Sequence, residues 1–301
     1  PQSGSYRHDP SLHKVQLSAE KAAELEAQGA TVLADYGSFK LLQVDDSTLK
    51  RLPALKDAEL RDEYNHILLN AGVIDTMSEH AQSLRGMRKT AVGKRFHIVQ
   101  FAGPVQPEWY KALEATGVKV VTYIPNNAYL VYGDPSAMTS LQKHTDSAPL
   151  IQWDGEYLDD YKLDPSVNTA ITNAYTIQLI KDPGTNEATL SLIRGMQSHE
   201  AIVREALDYV NVVAFVDRKA LDQIVQRPDV LSIHPRIQPR KFDERQNMIV
   251  AGQVSGTTPT GPGYLAWLAS KGFTQDQFTA SGFGVDVSDS GLDNASLAPN
   301  H

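Results

Sequence analysis

The sequence predicts an α+β protein built from small repeated units, and three observations support this fold class. Hydrophobic residues make up 41% and charged residues 21% of the 301 residues, which is an ordinary globular composition. Apolar runs of strand length, such as Phe96 to Phe101 and Tyr175 to Ile180, alternate with segments of helical periodicity. The same order of segments recurs along the chain.

The recurrence is clearest between residues 22–52 and residues 110–141. Each stretch reads as a helix end, a glycine, an apolar strand, a turn, a second strand, an acidic residue with a helix-capping Ser or Thr, and another helix. Gly29 and Gly117 lie where a helix must end, at a position that favours left-handed backbone dihedrals. A fainter third copy covers residues 208–235.

The helices of these copies are amphipathic, as Leu221, Ile224 and Val225 illustrate, so one face of each must lie on a sheet. The order strand, helix, strand, strand, helix, strand is the split βαβ or ferredoxin-like arrangement. We predict three such units, at residues 13–75, 95–165 and 174–242. This fold hosts many unrelated functions, so three α/β sandwiches without chemistry are the alternative interpretation. An RNA-binding function is disfavoured, because no Lys/Arg-Gly-Phe strand motif occurs.

The composition changes after the third unit. Residues 243–263 are predicted to be a linker, because residues 251–263 are rich in Gly, Thr and Pro. Residues 264–301 are predicted to begin another domain. Its first element is expected to be a helix from Tyr264 to about Ser270 that is stopped at Gly272.

A short strand near the end of the sequence carries the candidate catalytic residue. In the stretch GVDVSDSG, Val285 and Val287 lie on one face of a strand that ends at Ser290 and Gly291, which leaves Asp289 at its carboxyl end. Functional groups of open parallel α/β sheets gather at that end. A buried carboxylate needs a partner, and the N–H of a histidine imidazole can be that partner. The carboxylate would then fix the tautomer of the imidazole during acyl transfer. Asp-Ser-Gly by itself is also a common turn.

The wider stretch GFGVDVSDSGLD resembles the aspartate motif of the subtilisin-like serine proteases: a glycine, a valine-rich strand, Asp-Ser/Thr-Gly, an aliphatic residue, then Asp or Asn. The resemblance assigns Asp289 to the triad aspartate, and Ser290 and Gly291 to the turn that holds it. Asp286 and Ser288 depart from the family's more apolar strand.

The repeated units add to this resemblance. Propeptides of the family look like small split-βαβ domains that precede the catalytic domain, help it fold and block it until release. Residues 229–246 resemble the last strand and exit tail of such a propeptide. The resemblance therefore implies tandem ferredoxin-like propeptide-type units, followed by the first strand of a subtilisin-like α/β catalytic domain within residues 264–301.

The resemblance implies a secreted endopeptidase that hydrolyses protein or peptide substrates through an Asp-His-Ser triad, in that order along the chain. The family's His-Gly-Thr and Gly-Thr-Ser-Met-Ala segments do not occur in the sequence, and His301 follows Asp289 too closely to be the triad base. We therefore expect the amino-terminal portion of a longer precursor, inactive by itself. The propeptide-like units are expected to contact the catalytic domain of the same polypeptide.

Other classes of site and partner are less compatible with the sequence. The formal charge of −8 provides no basic footprint for nucleic acid, and no apolar run reaches the roughly 18 residues that span a bilayer. The absence of cysteine excludes disulfides and thiolate zinc sites. The segment HEAIV begins like a zinc-protease helix, but Val203 occupies the position of the second histidine. No cofactor or metal ligand is assigned, and calcium is implied only by the resemblance, with Asp293 or Asn294 as oxygen donors.

The alternative hypothesis is a non-catalytic protein of ferredoxin-like modules that inhibits or chaperones a protease, or mediates other contacts. It predicts binding to a separate enzyme without turnover.

Overall fold

A computed structural model describes residues 6–51, 58–86, 93–236, 243–261 and 263–282. The chain divides into two compact units, residues 1–236 and residues 237–301. The first unit is mixed α/β and contains several small antiparallel sheets, as the predicted α+β class requires.

The first sheet has four antiparallel strands in the spatial order β2-β3-β1-β4. Its elements are β1 (Leu12–Ser18), α1 (Ala19–Glu26), β2 (Thr31–Asp35), β3 (Phe39–Asp45), α2 (Asp46–Leu49) and β4 (Glu59–Leu60). Alternate residues of β1, Val15 and Leu17, pack with Leu25 of α1 in one apolar cluster. Gly29 has a φ of 97° after α1, so the predicted left-handed helix end is confirmed.

A segment that we call the connector, residues 61–86, joins the first two sheets. It contains a 3-10 turn (Asp62–Asn65), the hairpin strands β5 (His66–Leu69) and β6 (Gly72–Asp75), and the helix α3 (Glu79–Gly86). Its apolar residues Ile67, Ile74 and Ala81 are buried.

The second sheet lies between two layers. Its elements are β7 (Arg95–Phe101), α4 (Pro107–Glu114), β8 (Lys119–Ile124), β9 (Ala128–Gly133), α5 (Pro135–Ser147) and β10 (Ile151–Glu156), with the strand order β10-β7-β9-β8. Val99 packs with Leu113 of α4 and Leu141 of α5 on one face. Ile98 and Trp153, in the other apolar cluster of the sheet, pack with the buried residues of the connector.

The third sheet has the strand order β12-β13-β11-β14. The elements after the second sheet are α6 (Asp159–Lys162), a 3-10 turn (Pro165–Asn168), β11 (Ala174–Ile180), α7 (Pro183–Met196), β12 (His199–Ala206), β13 (Tyr209–Phe215), α8 (Leu221–Ile224) and β14 (Val230–Pro235). Ile177 and Val212 of the sheet pack with Ile193 of α7 and with the predicted helix face at Leu221 and Ile224.

All three sheets share one topology. In each, the first strand in sequence lies between the third and the fourth, and the second strand lies at an edge. Neighbouring strands are antiparallel throughout. The repeat that is visible in the sequence therefore corresponds to a repeated strand order.

The second compact unit is described over residues 243–261 and 263–282. Its elements are α9 (Asp243–Val250), β15 (Val254–Ser255), β16 (Thr258–Pro259), α10 (Tyr264–Ser270) and α11 (Gln275–Ala280). The predicted helix over Tyr264–Ser270 is confirmed, and Gly272 follows it with a φ of 86°. Residues 243–263, which were predicted to be a linker, contain α9 and the hairpin of β15 and β16. The tight turn of this hairpin is possible because Gly256 adopts a φ of 60°.

Candidate functional site

The predicted catalytic residue, Asp289, lies outside the described residues, which in this part of the chain end at Gly282. The other residues of that stretch that the sequence singled out also lie outside them: Val285, Asp286, Val287, Ser288, Ser290, Gly291, Asp293, Asn294 and His301. Their roles stay predictions.

Helices α10 and α11 and the turn between them, which precede this stretch, expose apolar side chains. Leu265 of α10 is 78% exposed, and Phe273 and Phe278 are about half exposed. Trp267 stacks on Tyr264 with ring centroids 5.4 Å apart. A capping box between Thr274 and Gln277 fixes the start of α11.

A buried polar cluster joins the first sheet, the connector and the second sheet. The Nζ of Lys14 donates to the Tyr64 carbonyl at 3.3 Å and to the Gln152 Oε1. The Gln152 Nε2 donates to the Thr76 hydroxyl at 2.7 Å and to the Gln100 Oε1 at 3.1 Å. The Gln100 Nε2 in turn donates to the Tyr64 carbonyl at 3.0 Å. A buried network of this kind specifies one arrangement of the elements that it joins.

Lys14 is the titratable member of this cluster and is 1% exposed. Burial lowers the pKa of its ammonium group from 10.5 to about 7, against the opposing effect of the Asp62 and Glu63 charges. Both acceptors of its Nζ are amide oxygens, so no carboxylate compensates the buried charge through a direct hydrogen bond. Below about pH 7 the folded protein therefore carries a buried ammonium group.

Replacing Lys14 by Met removes the buried charge and also leaves the Gln152 Oε1 without this donor, so the clearest expected effect is on the pH dependence of stability. Between pH 7 and 10.5 the unfolded Lys14 holds a proton that the folded one has lost, so this group makes stability rise with pH. We expect the variant to lose that rise. Urea unfolding at pH 6, 7, 8 and 9 measures it, with exposed Lys111→Met of α4 as the control. A variant with the same pH slope as the wild type would contradict the assignment.

Three histidines form pairs with aspartates that are distant in the sequence: His13, His97 and His234, the last with its Nδ1 3.2 Å from Asp164 Oδ2. The first is His13, whose Nδ1 lies 2.6 Å from Asp62 Oδ2 and whose Nε2 lies 2.9 Å from Asp46 Oδ1. Burial lowers the pKa of His13, but hydrogen bonds to the two carboxylates raise it above its usual value. The resulting stabilisation is present below pH 6.5 and is lost as the pH rises through the raised pKa. With both nitrogens engaged, His13 has no free nitrogen to act as a base.

The second pair is His97 with Asp154. The Nε2 of His97 lies 3.1 Å from Asp154 Oδ2, and Arg85 donates its Nε to Asp154 Oδ1 at 3.0 Å. The His97 Nδ1 is buried and has no hydrogen-bond partner among the described residues. No hydroxyl group in the described part of the chain is hydrogen-bonded to His97, so this pair lacks the nucleophile of a triad.

Two further absences apply to the described ranges. Within them, no group of three or more His, Asp or Glu side chains is arranged so that it could hold a metal ion. None of the helices there has the length and apolar character needed to cross a membrane. The HEAIV segment lies in strand β12, so His199 and Glu200 are not on a helix.

Comparison with known proteins gives one family match. Residues 68–158 match a family described as a domain of unknown function (DUF8729). No curated protein matches the chain. The matched range begins within β5 and ends just after β10, so it contains most of the connector and the whole second sheet. The match and the packing of Ile74 and Ala81 with Trp153 in one apolar cluster therefore agree that these elements belong together.

Proposed function

We propose that this chain is the amino-terminal portion of a secreted subtilisin-like serine endopeptidase, with Asp289 as the aspartate of an Asp-His-Ser triad. The proposal is carried by one observation, the GFGVDVSDSGLD motif downstream of three tandem units. The units at residues 13–75, 95–165 and 174–242 act as ferredoxin-like propeptide-type domains. They contact the catalytic domain of the same polypeptide.

The repeated strand order supports the propeptide part of the proposal. A strand order of β2-β3-β1-β4, with helices after the first and third strands, is what a split βαβ unit requires. The second and third sheets have the same order relative to their own elements. None of the histidines paired with aspartate, His13, His97 and His234, has a hydroxyl group hydrogen-bonded to it within the described residues, which is consistent with the catalytic machinery lying elsewhere in the polypeptide.

The motif residue has a definite task in this chemistry. The serine hydroxyl attacks the scissile carbonyl, and the histidine accepts the hydroxyl proton and then donates it to the leaving amine. Asp289 would hold the imidazole in the required tautomer and stabilise the imidazolium. Ser290 and Gly291 would form the turn that keeps the carboxylate at the end of its strand.

The coding sequence and the activity of its product test the proposal. The reading frame should continue to a His-Gly-Thr segment and then a Gly-Thr-Ser segment, and the product of the whole gene should hydrolyse denatured casein. A reading frame without both segments, or a whole product without turnover, would refute it.

A second candidate is a non-catalytic inhibitor or chaperone of a protease. It is favoured by the single compact unit formed by residues 1–236, in which the three sheets lie together. It predicts binding to a separate enzyme, with a dissociation constant between about 1 nM and 1 μM, and no hydrolysis by any product of the gene.

A further inference from the structure

The second strand of each four-stranded sheet is an edge strand, and the first two of these edges are capped. β2 has five residues and β8 has six. The Gln106 Nε2 donates to the Asp35 carbonyl of β2 at 2.8 Å. The Tyr209 hydroxyl donates to the Val121 carbonyl of β8 at 3.1 Å. Side chains from outside each sheet therefore satisfy part of its edge.

The edge of the third sheet is longer and uncapped. β12 has eight residues and, within the described ranges, pairs only with β13. The side-chain hydrogen bond to its backbone is local, from Ala201 N to Gln197 Oε1. Ile202 and Val203 are 45% and 47% exposed. An edge strand of this kind offers its outward backbone groups to another extended chain.

A groove with a volume of about 190 Å³ runs beside this edge, between β12 and α7. Its lining is apolar at Leu190, Ile193, Ala201, Val203 and Val212, and polar at Arg194, Gln197 and Glu200. The groove therefore provides a place for an aliphatic side chain of a strand that is added next to Val203. Backbone pairing with a side-chain pocket at alternate positions is the usual form of peptide recognition by strand addition.

The charges of β12 indicate which strand would fit. Glu205 is paired with Lys181, whereas Glu200 and Arg204 have no ion-pair partner in the described part of the chain. The register is irregular between His199 and Ile202, so regular pairing is available from Ile202 onward. A second copy paired antiparallel about the middle of that stretch would place Arg204 opposite Arg204, which is unfavourable. A peptide of different sequence is therefore the better occupant.

We propose that β12 and its groove bind an extended peptide, antiparallel to β12, by strand addition. The peptide has an aliphatic residue opposite Val203, an acidic residue opposite Arg204 and a basic residue towards Glu200. This proposal does not depend on the protease assignment.

The probe that follows from this pairing is acetyl-Thr-Lys-Glu-Leu-Val-Lys-Thr-amide with a fluorescent label, titrated with the 301-residue chain. We expect a dissociation constant on the order of 100 μM, since the interface is small. Two further probes carry N-methyl groups on the two alternate sets of backbone amides. The probe whose methylated amides face β12 loses backbone hydrogen bonds and should bind at least about tenfold more weakly. Replacing the probe leucine by aspartate should have a similar effect.

A charge exchange tests the register. Arg204→Glu should weaken binding of the probe, and a probe with lysine in place of its glutamate should restore it. Arg236→Glu, at an exposed arginine that directly follows β14 at the opposite edge of the same sheet, is the matched control and should bind the original probe normally. Absence of binding, or binding insensitive to both N-methylation and Arg204→Glu, would overturn the proposal. So would a β12-dependent dimer in sedimentation experiments.

Discussion

Replacing Asp289 by Asn in the product of the full-length gene is expected to lower kcat for peptide hydrolysis by about four orders of magnitude. An amide at this position cannot stabilise the imidazolium and favours the wrong histidine tautomer. KM should change little, because the aspartate does not contact the substrate and acts only in the transition state. Steady-state hydrolysis of a chromogenic peptide by both proteins measures the effect.

Asp286→Asn provides the matched control for this experiment, since it makes the same chemical change on the same predicted strand. Its kcat should stay within a few-fold of the wild type. Equal losses at the two positions would show that the strand, rather than the Asp289 carboxylate, is sensitive to the change. Full activity in Asp289→Asn would remove this residue from the triad.

Replacing Trp153 by Ala should reduce the free energy of unfolding of the first compact unit by about 3–5 kcal/mol. Trp153 is 1% exposed and packs with Ile67 and Ala81 of the connector. Its Nε1 donates to the Ala81 carbonyl at 2.9 Å, so truncation leaves both a cavity and an unpaired acceptor. Its ring also covers Gly155. A Cβ added at that position would lie 2.3 Å from the indole ring, so the ring packs directly on the glycine backbone.

Urea unfolding followed by far-ultraviolet circular dichroism measures this loss without depending on tryptophan fluorescence. Trp153→Phe keeps an aromatic ring but loses the indole N–H and part of the ring volume, so it should cost less than Trp153→Ala. Trp267→Ala, in the second compact unit, is the control and should leave the transition of residues 1–236 unchanged. An unfolding midpoint in Trp153→Ala equal to the wild type would show that the connector does not depend on this contact.

Local features of the fold were predictable because their causes are local. Gly29 and Gly117 end helices with φ of 97° and 87°, a conformation that glycine adopts without steric cost. The strand around Phe96 to Phe101 is visible as an apolar run. The packing of the connector on the second sheet has no such signal, since Trp153 and Ala81 are 72 positions apart. The same applies to Lys14 and Gln152, separated by 138 positions.

The candidate functional residues also differ in whether their signals are local in the sequence. The aspartate motif is contiguous, so the sequence was enough to propose Asp289. The His13–Asp62 and His97–Asp154 pairs join residues 49 and 57 positions apart, and a lone histidine carries no mark of its partner. Lys14 would be taken for a solvated charge from sequence alone, yet it is 1% exposed. The antiparallel pairing of β1 and the contacts of Lys14 with the connector and with Gln152 of the second sheet place it inside the protein.

The central claim is that Asp289 serves a serine nucleophile in the same polypeptide. Labelling the full-length gene product with a fluorophosphonate, followed by mass spectrometry of its peptides, tests this claim most directly. We predict one labelled serine, in a Gly-Thr-Ser segment that follows residue 289, with much slower labelling in Asp289→Asn. A product without a labelled serine, or with the label on a serine of residues 1–301, would contradict the claim.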